Sequence, residues 1–103
     1  MLIHKYNITY CFPWGSVEQE KVLVSHEEWR RFSDAEKRLN LAKKTEDRSA
    51  DDEYIVRNFK RTYGDQIFTD RSPIHDAIET GNLKTPYTEC RVVFKKTILH
   101  KID

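Results

Sequence analysis

Apolar residues recur at every second position between residues 4 and 12. Tyr6, Ile8, Tyr10 and Phe12 face one way, and Lys5, Asn7 and Thr9 face the other. That alternation predicts a half-buried strand. Pro13-Trp14-Gly15-Ser16 then reads as a turn, with proline presetting φ and glycine admitting a positive one. Residues 17–24 read as the return strand of a hairpin. Its polar first half, Glu18-Gln19-Glu20-Lys21, is expected to leave the sheet edge for solvent.

From Ser25 the period changes. Trp29, Phe32, Ala35 and Leu39 recur at steps of three and four, a single helical stripe. Serines punctuate the chain at helix starts. Ser25, Ser33 and Ser49 are each followed three residues later by an acid (Glu28, Glu36 and Asp52), and Ser72 is followed by Pro73. A serine hydroxyl at an N-cap accepts a bond from an unpaired backbone N–H, an acid three residues on can return one, and proline fits the first helical position. Because Ser33 with Glu36 is a complete capping box inside the stripe, the reading favours a break or kink there within residues 25–44. Residues 45–49 form a short polar linker. A helix follows from Ser49 through Tyr63, with Ile55, Phe59 and Tyr63 inward and Gly64 as its left-handed cap. Residues 66–69 read as a short extended segment. Ser72-Pro73 opens a short helix with Ile74 and Ile78 inward, closed by Gly81-Asn82. Residues 83–89 read as a loop interrupted by Pro86. Finally Cys90, Val92, Phe94 and Ile98 alternate with Arg91, Val93, Lys95 and Thr97, a second clear strand. The expected architecture is one α+β domain over residues 1–103: an antiparallel sheet of about three strands, the N-terminal hairpin plus the C-terminal strand, with three to four helices packed on one face.

Composition narrows this picture. The 103 residues suit one domain. Hydrophobic content is 38%, but 12% of the chain is aromatic, so the core is expected to be thin and ring-rich, completed in part by a partner or a second copy of the chain. Lys and Arg number 18 against 17 Asp and Glu, so net charge alone argues for neither nucleic acid nor an anionic membrane. Two cysteines, Cys11 and Cys90, without CxxC spacing fit free thiols in a reducing cytosol. The N-terminus lacks an apolar signal core and no run reaches membrane-spanning length, so the expectation is a cytoplasmic protein without membrane contact.

Candidate chemistry is sparse. His4, His26, His75 and His100 are far apart and share no ligand spacing with the cysteines, so neither a metal nor another cofactor is expected. His75-Asp76 could serve a metal-dependent phosphohydrolase, but the further histidines and aspartates that such enzymes need are missing. With four serines assigned to caps, only Ser16 is left as a spare nucleophile, and it lacks the G-x-S-x-G context. Three isolated glycines make no phosphate cradle. The chain therefore reads as a non-enzyme without catalytic residues. The charge blocks Arg30-Arg31, Lys43-Lys44 and Arg57…Lys60-Arg61 each follow acids on the same helix, an order that complements the helix dipole and needs no partner.

Two features resist such accounting. Phe12 and Trp14 set two large rings at a turn, where polar residues are usual, and tryptophan is enriched at interface hot spots. The final strand carries Arg91, Lys95, Lys96 and Lys101 with His100, and no acid between Glu89 and Asp103. Alternation puts Arg91, Lys95 and Lys101 on its outward face, where they either protect a sheet edge or meet an acidic partner. The leading expectation is a small protein-binding module, an inhibitor or adaptor of the size that phages and mobile elements encode as accessory proteins. It would dock sterically through Phe12 and Trp14, with Arg91, Lys95 and Lys101 supplying charge complementarity. The alternative is a nucleic-acid-binding domain using Tyr87, Arg91, Lys95, Lys96 and Lys101.

Overall fold

A computed structural model describes residues 1–42, 44–85 and 88–102, with the backbone alone at Thr45. The expectations at Lys43, Pro86 and Tyr87 lie outside the described residues. The elements run β1 (Leu2–Phe12), β2 (Gly15–Val24), α1 (His26–Leu41), a 3-10 turn (Thr45–Asp47), α2 (Ala50–Tyr63), β3 (Ile67–Thr69), α3 (Pro73–Thr80), β4 (Asn82–Lys84) and β5 (Glu89–His100). The α+β class is as expected.

Three serines cap the three helices. Ser25, Ser49 and Ser72 accept bonds through Oγ from the backbone N–H of Glu28, Asp52 and His75 at 3.2, 3.3 and 3.2 Å. Gly81 closes α3 in the left-handed conformation at φ 78°. Ser33 does not cap, and α1 runs through it without a break. The reason lies across the helix interface: Phe32 stacks on Phe59 of α2 with ring centroids 4.2 Å apart, and Ala35 and Leu39 are buried on the same stripe. A kink at Ser33 would part Phe32 from Ala35. The acids of all three apparent capping boxes serve the same interface. Tyr63 Oη donates to the Glu28 carboxylate, Lys60 Nζ lies 3.7 Å from Glu36, and Arg38 grips Asp52 with two bonds of 2.9 Å.

The sheet has five strands in the order β3-β2-β1-β5-β4, not about three. β1 pairs antiparallel with β2 and with β5, β4 pairs antiparallel with β5, and β3 runs parallel to β2. The loop expected over residues 83–89 thus contains strand β4, and the sheet is mixed rather than purely antiparallel. β3 falls within the extended segment expected over residues 66–69, whereas β4, three residues long, is too short to show an alternation in sequence.

The inner face carries the main core. Tyr6, Ile8 and Tyr10 of β1, Phe68 of β3, Cys90 and Val92 of β5 and Ala77 of α3 are buried together, with Ile74 and Ile78 packed against them. Ile8, between its partners Gln19 and Phe94, is 0% exposed. The helices do not share one face. Among the described residues α3 is the helix that covers this core. The antiparallel pair α1–α2 packs mainly on itself and meets the sheet at one end. There Met1 joins Phe32, Ile55, Phe59 and Tyr63 in a shared cleft, and Tyr63 reaches Lys5 and Val22 on the opposite face. The molecule is elongated, 52 × 34 × 20 Å. Its radius of gyration is 16.6 Å, against about 13 Å for a compact domain of this length. The core is thin because it is divided between two sites.

Two predictions follow from the helix pair. Phe59→Ala leaves a cavity beneath Phe32 and Tyr63 and is expected to cost about 3–5 kcal/mol in urea unfolding; a loss under about 1 kcal/mol would show that the pair contributes little to the fold. The second concerns acid. Hydrogen bonds from Arg38, opposed by burial, hold the Asp52 carboxyl below its ordinary value of 3.8. Its contribution to stability is therefore fully present above about pH 5 and is lost as pH falls through the lowered folded value. The melting temperature of Asp52→Asn should lie below that of the parent at neutral pH and converge with it in acid. A gap that stays constant with pH would contradict this assignment.

Candidate partner-binding surfaces

The hairpin tip follows from strand register. β1 and β2 pair out to Phe12 opposite Gly15, which leaves Pro13 and Trp14 as a two-residue loop. Gly15 has φ 150°, a conformation that side-chain-bearing residues rarely adopt. Phe12 is half-buried against the inner core, and Trp14 stacks on it with ring centroids 5.0 Å apart and planes 8° from parallel. Trp14 is nonetheless 74% exposed. Its ring does not fold back into the core; Phe12 holds one face of it and solvent takes the other. Val17, opposite Tyr10 in register, extends this apolar surface.

The basic residues expected to complete the site do not assemble around the tip. Arg91 pairs with Cys11 and Lys95 with Asn7, so both lie on the face opposite Phe12. Lys101 is past the end of β5 and donates from Nζ to the Thr62 carbonyl at 2.8 Å, satisfying a C-terminal carbonyl of α2. About 30 Å of strand separates it from Arg91.

The alternative set is divided too. Lys96 projects to the inner face, its ammonium 5.7 Å from the centre of the Tyr6 ring. Tyr87 lies outside the described residues. Arg91 and Lys95 share their face with Glu18 and Glu20 of β2, and Lys5 Nζ pairs with Glu20 at 2.9 Å between them. That face carries both signs of charge.

Sequence reasoning missed the free side of β5. Phe94 and Ile98 lie on the inner face, as the alternation predicts, yet both are exposed. A helix of 8 residues spans about 12 Å, whereas a strand of 12 spans about 40 Å. α3 covers Cys90 and Val92 and ends before Phe94. That mismatch in length was the available signal.

The remaining chemistry-bearing residues are dispersed. His75 Nε2 faces Glu79 one turn on at 3.8 Å, and Asp76 is exposed. Among the described residues no three His, Cys, Asp or Glu side chains come together to hold a metal, and no helix is long and apolar enough to cross a membrane. Cys11 and Cys90 sit on neighbouring strands, but Cys11 pairs with Arg91, so the two thiols leave opposite faces. Burial pushes the Cys90 thiol up, with a further contribution from Cys11. Burial also raises Tyr10, whose hydroxyl has no hydrogen-bond partner among the described residues. No family model, curated protein or solved structure matches the chain.

A thiol count checks the register of β1 against β5. In the folded protein Cys11 should react with a thiol reagent and Cys90, at 0% exposure, should not; both should react in denaturant. Protection of Cys11, or a disulfide between the two on mild oxidation, would refute the placement.

Proposed function

We propose that the chain is a protein-binding module that docks through its hairpin tip. The observation that supports this is the presentation of Trp14: 74% exposed, at the end of a hairpin, and held by its stack on Phe12. A ring already fixed in place loses little conformational freedom on binding, which is the economical way to build an anchor. Val17 and Pro13 supply adjoining exposed surface. The partner surface this fits is a shallow apolar pocket that admits an indole. Docking of this kind acts sterically, as an inhibitor or adaptor does, and needs no catalytic group.

Trp14→Ala tests the reading. Protein captured by the immobilised parent chain should be lost from the variant, while the melting temperature moves by less than about 4 °C. Retained capture, or a large thermal destabilisation, would place Trp14 outside the binding role.

A further inference from the structure

The backbone pairing of β5 leaves one side of the strand open. Met1 and Lys101 exchange both of their backbone bonds, at 3.0 and 2.9 Å, so they form a hydrogen-bonded pair of the β1–β5 ladder. Such pairs alternate along an antiparallel ladder. Leu99, Thr97, Lys95 and Val93 therefore direct their N–H and C=O groups to β1, while His100, Ile98, Lys96 and Phe94 direct theirs away from it. Val92 N–H agrees with this phase, donating outward to Gly81 O at 2.8 Å. β4 covers the outer side only from Glu89 to Arg91. Over residues 93–100 no backbone partner occupies it among the described residues.

This edge is apolar and basic at once. Val93, Phe94, Ile98 and Leu99 are 39–48% exposed, with Phe94 and Ile98 on the inner face and Val93 and Leu99 on the other. Lys95 and Lys96 are adjacent, so one ammonium projects on each face. No acid occurs from Cys90 to Ile102. The chain's own strands match this pattern poorly. Glu18 and Glu20 on the free stretch of β2 are two residues apart and share one face, and Glu20 is already paired with Lys5. Two copies of β5 in antiparallel contact set Lys96 against Lys96 when centred there, and Lys95 against Lys101 when centred on Ile98. Any register collects four or more lysines along one seam.

We propose that the open edge of β5 binds an extended segment of another protein as an added strand, one that carries two adjacent acids flanked by apolar residues. In the antiparallel sense the acids lie opposite Lys96 and Lys95, and the apolar residues opposite Ile98 and Phe94. The segment reads apolar-x-acid-acid-apolar from its N-terminus. Backbone bonds to Phe94, Lys96, Ile98 and His100 hold the strand, and the split pair of lysines sets its register. Arg61 and Lys101, which line the cleft between α2 and the end of the chain, extend the basic path. This edge is a different surface from the hairpin tip and does not depend on Trp14.

The test uses the full chain and the labelled peptide Thr-Val-Thr-Glu-Glu-Val-Thr, followed by fluorescence anisotropy to millimolar concentration. The glutamate peptide should bind about tenfold more tightly than its Lys-Lys counterpart, and the double variant Lys95→Glu/Lys96→Glu should reverse that order. Ile98→Pro removes an outward N–H that the sheet does not use, a substitution edge strands tolerate, and should abolish binding while leaving the fold intact. Trp14→Ala should bind the peptide as the parent does, so the two binding proposals fail or stand separately. Equal binding of both peptides, no binding at all, or an order unchanged by the charge swap would overturn the proposal. So would self-association of the free chain that Ile98→Pro abolishes, since the edge would then belong to a second copy.

Discussion

The ten-position pairing of β1 with β5 is the interaction on which the rest of the molecule depends. It joins the two ends of the sequence, so nearly the whole chain is enclosed by one ladder. It also sets Tyr10 beside Val92, in the buried row that α3 covers, and Ile8 beside Phe94. Loop closure on this scale is entropically costly before any contact repays it, which predisposes such a topology to slow folding. The hairpin β1–β2 and the helix pair α1–α2 are local by comparison. Their contacts join segments that are close in sequence.

The helix pair shows how one set of residues can serve two structural levels. Glu28, Glu36 and Asp52 look in sequence like partners of serine caps. In the fold they are cross-helix partners of Tyr63, Lys60 and Arg38. The serine half of each signal held at Ser25 and Ser49, where the hydroxyl does bond the third N–H of its helix. At Ser33 the continuous stripe of Phe32, Ala35 and Leu39 outweighed the local signal. Capping is worth about 1 kcal/mol, and burial of a stacked phenylalanine is worth more. The acid of a capping box is thus ambiguous in a sequence whenever a second helix packs alongside.

Much of the fold was legible because its signals are local: alternation in β1 and β5, the helical stripes, and the caps at Ser25, Ser49 and Ser72. What was illegible depends on pairing across the chain. The extended segment at residues 66–69 was legible, but not its parallel pairing with Val22–Val24, and β4 is defined by its neighbour Glu89–Arg91 rather than by any pattern of its own. At the candidate surfaces, the aromatic tip could be read directly and holds together. The basic set could not, because alternation gives the face of Lys95 and Lys96 but not that the Lys101 side chain is taken up by the Thr62 carbonyl. The exposed inner face of β5 needed the length of α3 to be weighed against that of β5, and its open edge follows from the shortness of β4. The two proposed surfaces are distinct: the tip lies at the β1–β2 turn, and the open edge runs along β5 from Val93 to His100.

Residue-resolved amide hydrogen exchange along β5 tests the central claim most directly. With β1 on one side and solvent on the other, the amides of Val93, Lys95, Thr97 and Leu99 should be protected. Those of Phe94, Lys96, Ile98 and His100 should exchange near the rate of exposed backbone. A strand protected uniformly over these eight residues, or protected in the opposite phase, would contradict the register and the open edge together.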